Sequence, residues 1–144
     1  MAVVWGLIIL GLSLLAWLGQ VISWWRPEVA VRLTLREASA DVEPVYDRDI
    51  QGEAMWDALI LWTLPLAGLL LVFDQPVWAV FGLVGGGIYL YFAGRGIATR
   101  RLMQRDGLRI GAPVSVRIGY VFLVVWGAMA AVTLVAAAVA LPDL

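Results

Sequence analysis

Long apolar runs separated by short polar segments dominate the chain, and four of them can cross a bilayer at about 20 residues per helix. They predict helices at about 2–25, 42–73, 77–94 and 116–141. The second helix is extended back to residue 42 because Asp41-Val42-Glu43-Pro44 is typical of a helix start. Only Asp74-Gln75-Pro76 joins it to the third helix, so these two form an antiparallel hairpin. The pattern predicts an all-α integral membrane four-helix bundle, in one domain over residues 1–144.

The arginine residues predict how this bundle is oriented. All ten basic residues are Arg, and they fall in the connection between the first and second helices, in the connection between the third and fourth, or at the helix ends beside them. The positive-inside rule places these two connections in the cytoplasm and both termini outside. We expect an integral protein of a bacterial inner (plasma) membrane.

Composition agrees with a membrane protein and narrows its chemistry. The chain is 62% hydrophobic and 15% charged, whereas soluble domains average about 45–50% apolar and about 25% charged residues. It has no Cys and no His, which excludes disulfides, thiolate nucleophiles, His bases and the usual zinc sites, so no metal site is predicted. A net charge of −1 gives no reason to expect nucleic acid as a partner.

A stripe of carboxylates marks the start of the second helix. Asp49, Glu53 and Asp57 recur every fourth residue and so share one helix face. Asp49 fits an ordinary solvated face, but Glu53 and Asp57 lie nearer the apolar run, where an unpaired carboxylate is costly. We expect an Arg from the other connection to pair with them. No charge is predicted at mid-bilayer, which argues against a proton-coupled pump.

The second cytoplasmic connection, Arg95 to Arg109, is strongly basic, with Asp106 as its one acid. Two interpretations stay open for it. The arginines set topology and contact anionic lipid headgroups, or they form a site for an anionic ligand, since Arg binds carboxylate, phosphate or thiolate groups in partly buried settings.

Several segments in this order resemble one family of membrane enzymes. Gln20-Val21-Ile22-Ser23, followed by Arg26, ends the first helix, and Val42-Glu43-Pro44-Val45-Tyr46 leads into the second. Gly82-Leu83-Val84, then Arg95, then Arg109-Ile110-Gly111-Ala112-Pro113 cover the third helix and the loop after it. Together they resemble the MAPEG family of membrane-associated glutathione transferases and eicosanoid-forming enzymes.

This resemblance implies a glutathione-dependent transferase or peroxidase that acts on a lipophilic small molecule arriving from the bilayer. It also implies a homotrimer with sites between neighbouring subunits at the cytoplasmic side. Arg109 would be the catalytic residue, because an adjacent cation stabilises the glutathione thiolate. The residues that would hold glutathione are Arg26, Arg48, Gln51, Glu53 and Arg95.

The residues themselves leave a second class open, a non-catalytic oligomeric membrane protein. This would be an accessory subunit of a larger membrane complex or a small channel. Gly82 with Gly86 in the third helix, and Gly127 with Ala131 in the fourth, have the small-xxx-small spacing that lets helices pack closely. The Gly-rich third helix and the lack of mid-membrane charge favour the accessory subunit, whereas Arg95 and Arg109, with carboxylates at the start of the second helix, favour the enzyme.

Overall fold

The computed structural model describes residues 2–141, and within that range it contains helices and no strand. The helices are α1 (Ala2–Trp25), α2 (Pro27–Arg32), α3 (Pro44–Ile60), α4 (Thr63–Val72), α5 (Trp78–Arg105) and α6 (Pro113–Ala140). Because α4 continues α3, residues 2–141 contain four helical spans long and apolar enough to cross a membrane. The predicted all-α four-helix membrane bundle is confirmed. Residue 1 and residues 142–144 of the predicted domain lie outside the described range.

Three helix boundaries differ from those predicted. α5 continues to Arg105 rather than ending near residue 94, so most of the predicted second connection is helical. Charged residues do not end a helix, since Arg and Gln are good helix formers; α5 ends only before Gly107, where φ is +76°. α3 begins at Pro44 and α6 at Pro113, each with proline at the first helical position.

Pro65 interrupts the second span. It lacks an amide hydrogen, and its ring crowds the carbonyl four residues earlier, that of Leu61. The helix is broken at that point: α3 ends at Ile60 and α4 begins at Thr63. The second span therefore consists of two helical segments joined by Leu61 and Trp62.

Helices that follow one another along the chain pack together. α1 lies along α3 and α4, α4 lies against α5, and α5 lies along α6. Small residues allow the α5–α6 contact: Gly82 and Gly86 pack against side chains of α6, and Gly127 packs against Ala93 of α5. α1 and α6, the first and last spans, meet over a short stretch, where Trp126 Nε1 donates to the Leu12 carbonyl at 2.9 Å.

The two connections close one end of the bundle, where α1 ends and α6 begins; we call it the connection end. The Glu43 amide donates to the Arg109 carbonyl at 2.8 Å, and the Ala112 amide at the start of α6 donates to Glu37 Oε1 at 3.2 Å. Tyr46 and Ile110 are buried together beneath these bonds. The first connection is therefore docked on the second.

The close approach of α5 to α4 gives a test of this packing. A Cβ atom at Gly85 of α5 would lie 2.7 Å from the backbone nitrogen of Leu64 in α4, whereas a Cβ atom at Gly87 would meet open space. We predict that Gly85→Ala lowers the free energy of unfolding in detergent by about 1–3 kcal/mol, because the two backbones must separate. Gly87→Ala is the matched control and should be neutral or slightly stabilising. Equal stabilities of the two variants would contradict this arrangement of α4 and α5.

Candidate functional site

A half-open cavity of about 460 Å³ lies between α1 and α6 toward the connection end. Leu15 of α1 and Ile118 and Phe122 of α6 line it and are also exposed on the outer surface of the bundle. Since both helices are long and apolar enough to span a membrane, this apolar mouth would face lipid there. The volume lies within the range of about 300–1,000 Å³ that is typical of small-molecule sites.

Polar residues also line the cavity. α1 contributes Gln20 and Ser23, the first connection contributes Arg36, and the second span and α5 contribute Glu53 and Arg100. An apolar mouth that leads to charged groups is an amphipathic site.

The end of α2 positions Arg36 over this cavity. The Leu35 amide donates to the Ala30 carbonyl and the Thr34 amide to the Val31 carbonyl, both within 3.0 Å, which is the Schellman ending of a helix. Thr34 has φ of +57°, a conformation usually taken by glycine. This turn ends α2, and Arg36 follows two residues later.

Arg36 is paired on one side only. Its Nη2 donates to Asp47 Oδ1, and Asp47 also accepts bonds from Ser39 Oγ at 3.0 Å and Gln51 Nε2 at 2.8 Å. The Arg36 side chain is 6% exposed, and its Nη1 is buried without a hydrogen-bond partner among the residues described. Leaving a buried charged donor unpaired is costly, so this atom marks a place where an acceptor would bind favourably.

Arg100 of α5 also brings a guanidinium to the cavity. Its Nη1 donates to the Gly96 carbonyl at 3.0 Å, and its guanidinium carbon lies 5.9 Å from the centre of the Tyr46 ring. Across residues 2–141 no carboxylate lies within ion-pair distance of it. Tyr46 precedes Asp47, so both guanidiniums contact the first turn of α3.

The carboxylate stripe of α3 has the expected arginine partner. Arg95 Nη1 donates to Glu53 Oε2 at 2.7 Å, and its Nη2 donates to Asp49 Oδ1 at 2.6 Å. The predicted pairing of Glu53 is thus confirmed, although Arg95 lies on helix α5 and not in a connection. The Glu53 side chain is only 7% exposed, so this ion pair stabilises a charge that faces little water.

Asp57 lies deeper in the bundle than the sequence predicts. Trp17 Nε1 donates to the carbonyl of the next residue, Ala58, at 2.9 Å. At 1.5 Å per residue, Trp17 is about 12 Å along α1 from its end at Trp25. Asp57 is therefore a buried carboxyl well inside a span, and its Oδ2 has no partner among the described residues. Among residues 2–141 no arginine is paired with Asp57, so that half of the pairing prediction is wrong, and the expectation of spans without internal charge did not allow for this buried carboxyl.

The structure separates most of the residues that the resemblance assigns to glutathione. Glu53 lines the cavity, and Arg95 is bonded to it. Arg109 lies outside the cavity with a side chain 65% exposed, 3.4 Å from Glu43. The other three, which are also exposed and outside the cavity, are Arg26, Arg48 and Gln51. Their proposed contact with glutathione stays a prediction that would require a neighbouring subunit.

The polar lining also includes Arg36, Tyr46, Asp47 and Arg100, which the sequence did not single out as site residues. Nothing in the local sequence distinguishes Arg36 from Arg32, because only the turn after α2 gives them different surroundings. Comparisons of the chain with protein-family models, curated proteins and solved structures find no match.

The ion pair beside the cavity gives a second test. We predict that Arg95→Gln lowers the free energy of unfolding by about 1–3 kcal/mol, because buried Glu53 loses its charged donor. Arg101→Gln, an exposed arginine on the same helix, should change it by less than about 0.5 kcal/mol. Adding Glu53→Gln to Arg95→Gln should recover part of the loss. If Arg95→Gln and Arg101→Gln have the same melting temperature in detergent, the Arg95–Glu53 bond does not stabilise the bundle.

Proposed function

We propose that this protein binds an amphipathic small molecule, which enters the cavity between α1 and α6 sideways from the bilayer. The observation that carries the proposal is the combination of a lipid-facing apolar mouth with buried charged groups behind it. An apolar tail gains little by moving from lipid to protein, so the polar head must supply most of the selectivity. The polar lining of the cavity is suited to that task.

The position of the cavity supports lateral access. Leu15, Ile118 and Phe122 stand on lipid-facing surfaces of two spans, while the polar lining lies toward the connection end, where lipid headgroups are found. A molecule with one polar end already lies in the bilayer with its head at the headgroup level. It could therefore place its head beside Arg36 and its tail at the mouth without turning over in the membrane.

A glutathione-dependent transferase or peroxidase of the MAPEG type is the more specific candidate. The same cavity favours it, because glutathione is an anionic peptide that would use the charged lining while a lipophilic substrate occupies the mouth. In a single chain, the guanidiniums nearest such a thiolate would be those of Arg36 and Arg100. Arg109 would take part only in a homo-oligomer, a trimer in that family, if a neighbouring subunit brought it to the site.

The non-catalytic alternative is supported by the same binding site and needs no reaction. An accessory subunit would hold a lipid or a substrate for a larger complex. A channel through a single chain is disfavoured, because fully buried Ile9, Leu64 and Tyr89 fill the centre of the bundle. A channel would therefore have to form between copies.

Filling the cavity tests the proposed binding directly. Gly19 of α1 and Gly119 of α6 both line it, and a Cβ atom at either position would meet open space. We predict that Gly19→Leu and Gly119→Leu each weaken binding of lysophospholipid or fatty acid at least about tenfold, or about 1.4 kcal/mol. Native mass spectrometry of the delipidated protein in detergent would measure the bound fraction.

Gly11→Leu is the matched control for this experiment. Gly11 is on α1, its Cβ position is equally open, and it lies outside the cavity. It should bind the amphiphile as the wild type does. Equal weakening by all three substitutions, or by none of them, would contradict binding in this cavity.

Melting curves with glutathione test the specific candidate. A ligand bound only by the folded protein stabilises it by about 2.7 kcal/mol at a hundred times its dissociation constant. We predict a rise in melting temperature at millimolar glutathione if the protein is a MAPEG-type enzyme, and no rise excludes that activity. Where a rise occurs, its loss in Arg109→Ala would support a site shared between subunits, and an unchanged rise would remove Arg109 from the site.

A further inference from the structure

We infer that the molecule bound in the cavity carries an oxyanion head, a phosphate or a carboxylate, and that Arg36 and Arg100 bind it. The inference rests on the proposed function, since it names the chemistry of the head group that the cavity would accept. Its physical ground is that the carboxylates of the cavity are paired, whereas the guanidiniums retain donors without acceptors.

The carboxylates of the cavity are largely engaged. Asp47 accepts bonds from Arg36, Ser39 and Gln51. Glu53 accepts a bond from Arg95, and Glu37 accepts one from the amide of Ala112 at the start of α6. Asp41, which also lines the cavity, is exposed to solvent. A cationic head group would therefore find its best acceptors already occupied.

The groups of the cavity that lack a full set of acceptors are guanidinium donors. Arg36 Nη1 is buried, on a side chain 6% exposed, and has no partner in the part of the chain that the structure describes. Arg100 is held by the Gly96 carbonyl and the Tyr46 ring and has no carboxylate within ion-pair distance in residues 2–141. A guanidinium in a protein keeps its proton, so it cannot relieve its burial by becoming neutral. An acceptor supplied by a ligand is the remaining remedy.

Two arginines in one cavity select a particular acceptor. Arg36 and Arg100 contact neighbouring residues, Asp47 and Tyr46, at the first turn of α3. A phosphate or carboxylate presents several oxygens and accepts more than one N–H bond, which a hydroxyl or a single carbonyl does less well. Charge-assisted bonds of this kind strengthen where water is excluded.

Binding of three probes to the full chain in neutral detergent tests the inference. The probes are oleoyl lysophosphatidic acid, oleylamine and inorganic phosphate, measured by native mass spectrometry and calorimetry. We expect the lysophosphatidic acid to bind at least about tenfold more tightly than the amine, as expected for charge-assisted bonds. Phosphate alone should bind more weakly than the lysolipid if the ligand is a lipid, and comparably if the site serves a free anion.

Substitutions at the two arginines link binding to the residues. Arg36→Gln and Arg100→Gln should each weaken binding of the lysolipid about tenfold, the loss of one charge-assisted bond. The control is Arg32→Gln, an exposed arginine of α2 outside the cavity, which should bind as the wild type does. Unchanged binding in both cavity variants would overturn the inference.

Asp47→Asn separates a binding role of Arg36 from a structural one. This substitution removes the carboxylate that shares the guanidinium, so it should strengthen binding of the lysolipid if Arg36 binds the oxyanion. If Arg36 serves only to hold Asp47, the same substitution should weaken binding or leave it unchanged, and the inference fails. The Asp47→Asn measurement still tests the role of Arg36 if the Arg36→Gln variant does not fold.

Failure of the inference differs from failure of the proposed function. If oleylamine binds as tightly as the lysolipid and Gly19→Leu blocks both, the cavity binds amphiphiles but does not select an oxyanion. If no amphiphile of either charge binds, the proposed function itself is wrong.

Discussion

Inside a bilayer a polar group finds no water, so nearly every hydrogen-bonding group within a span must be paired by the protein itself. The long-range contacts of this bundle follow from that constraint. Tyr89 donates to the Ser13 carbonyl at 2.7 Å, and Trp126 and Trp17 donate to carbonyls of other helices at 2.9 Å. Each bond satisfies a polar side chain and ties two helices together, so it fixes how the bundle is assembled.

The ion pairs obey the same constraint at greater cost. Arg95 reaches two carboxylates of α3, and this pairing lets Glu53 be buried beside the cavity. A buried charge is stable only where such a partner lies at hydrogen-bond distance. The helical extension of α5 past residue 94 is what places the arginine there, so the position of a helix end decides the electrostatics of the site.

The cavity arises where packing is incomplete. Consecutive spans approach closely through glycines such as Gly68, which meets α1, and Gly85, which meets α4. The first and last spans, α1 and α6, meet only over a short stretch. Between them, toward the connection end, the docked first connection encloses a space instead of filling it. Arg36 lines that same space, and its Nη1 has no partner among the described residues, which is why we propose a binding site there.

The sequence by itself determined the four spans and the hairpin at residues 74–76, because hydropathy and proline act locally. The arginine residues also indicated that the two connections that carry them lie at the same end of the bundle. The sequence also indicated that Glu53 needs a basic partner, since the cost of burying a carboxylate does not depend on the fold. Only the tertiary structure decided that Arg36 is buried while Arg109 and Arg48 are exposed. These residues are chemically identical, and their surroundings depend on how distant segments dock, which local sequence does not encode.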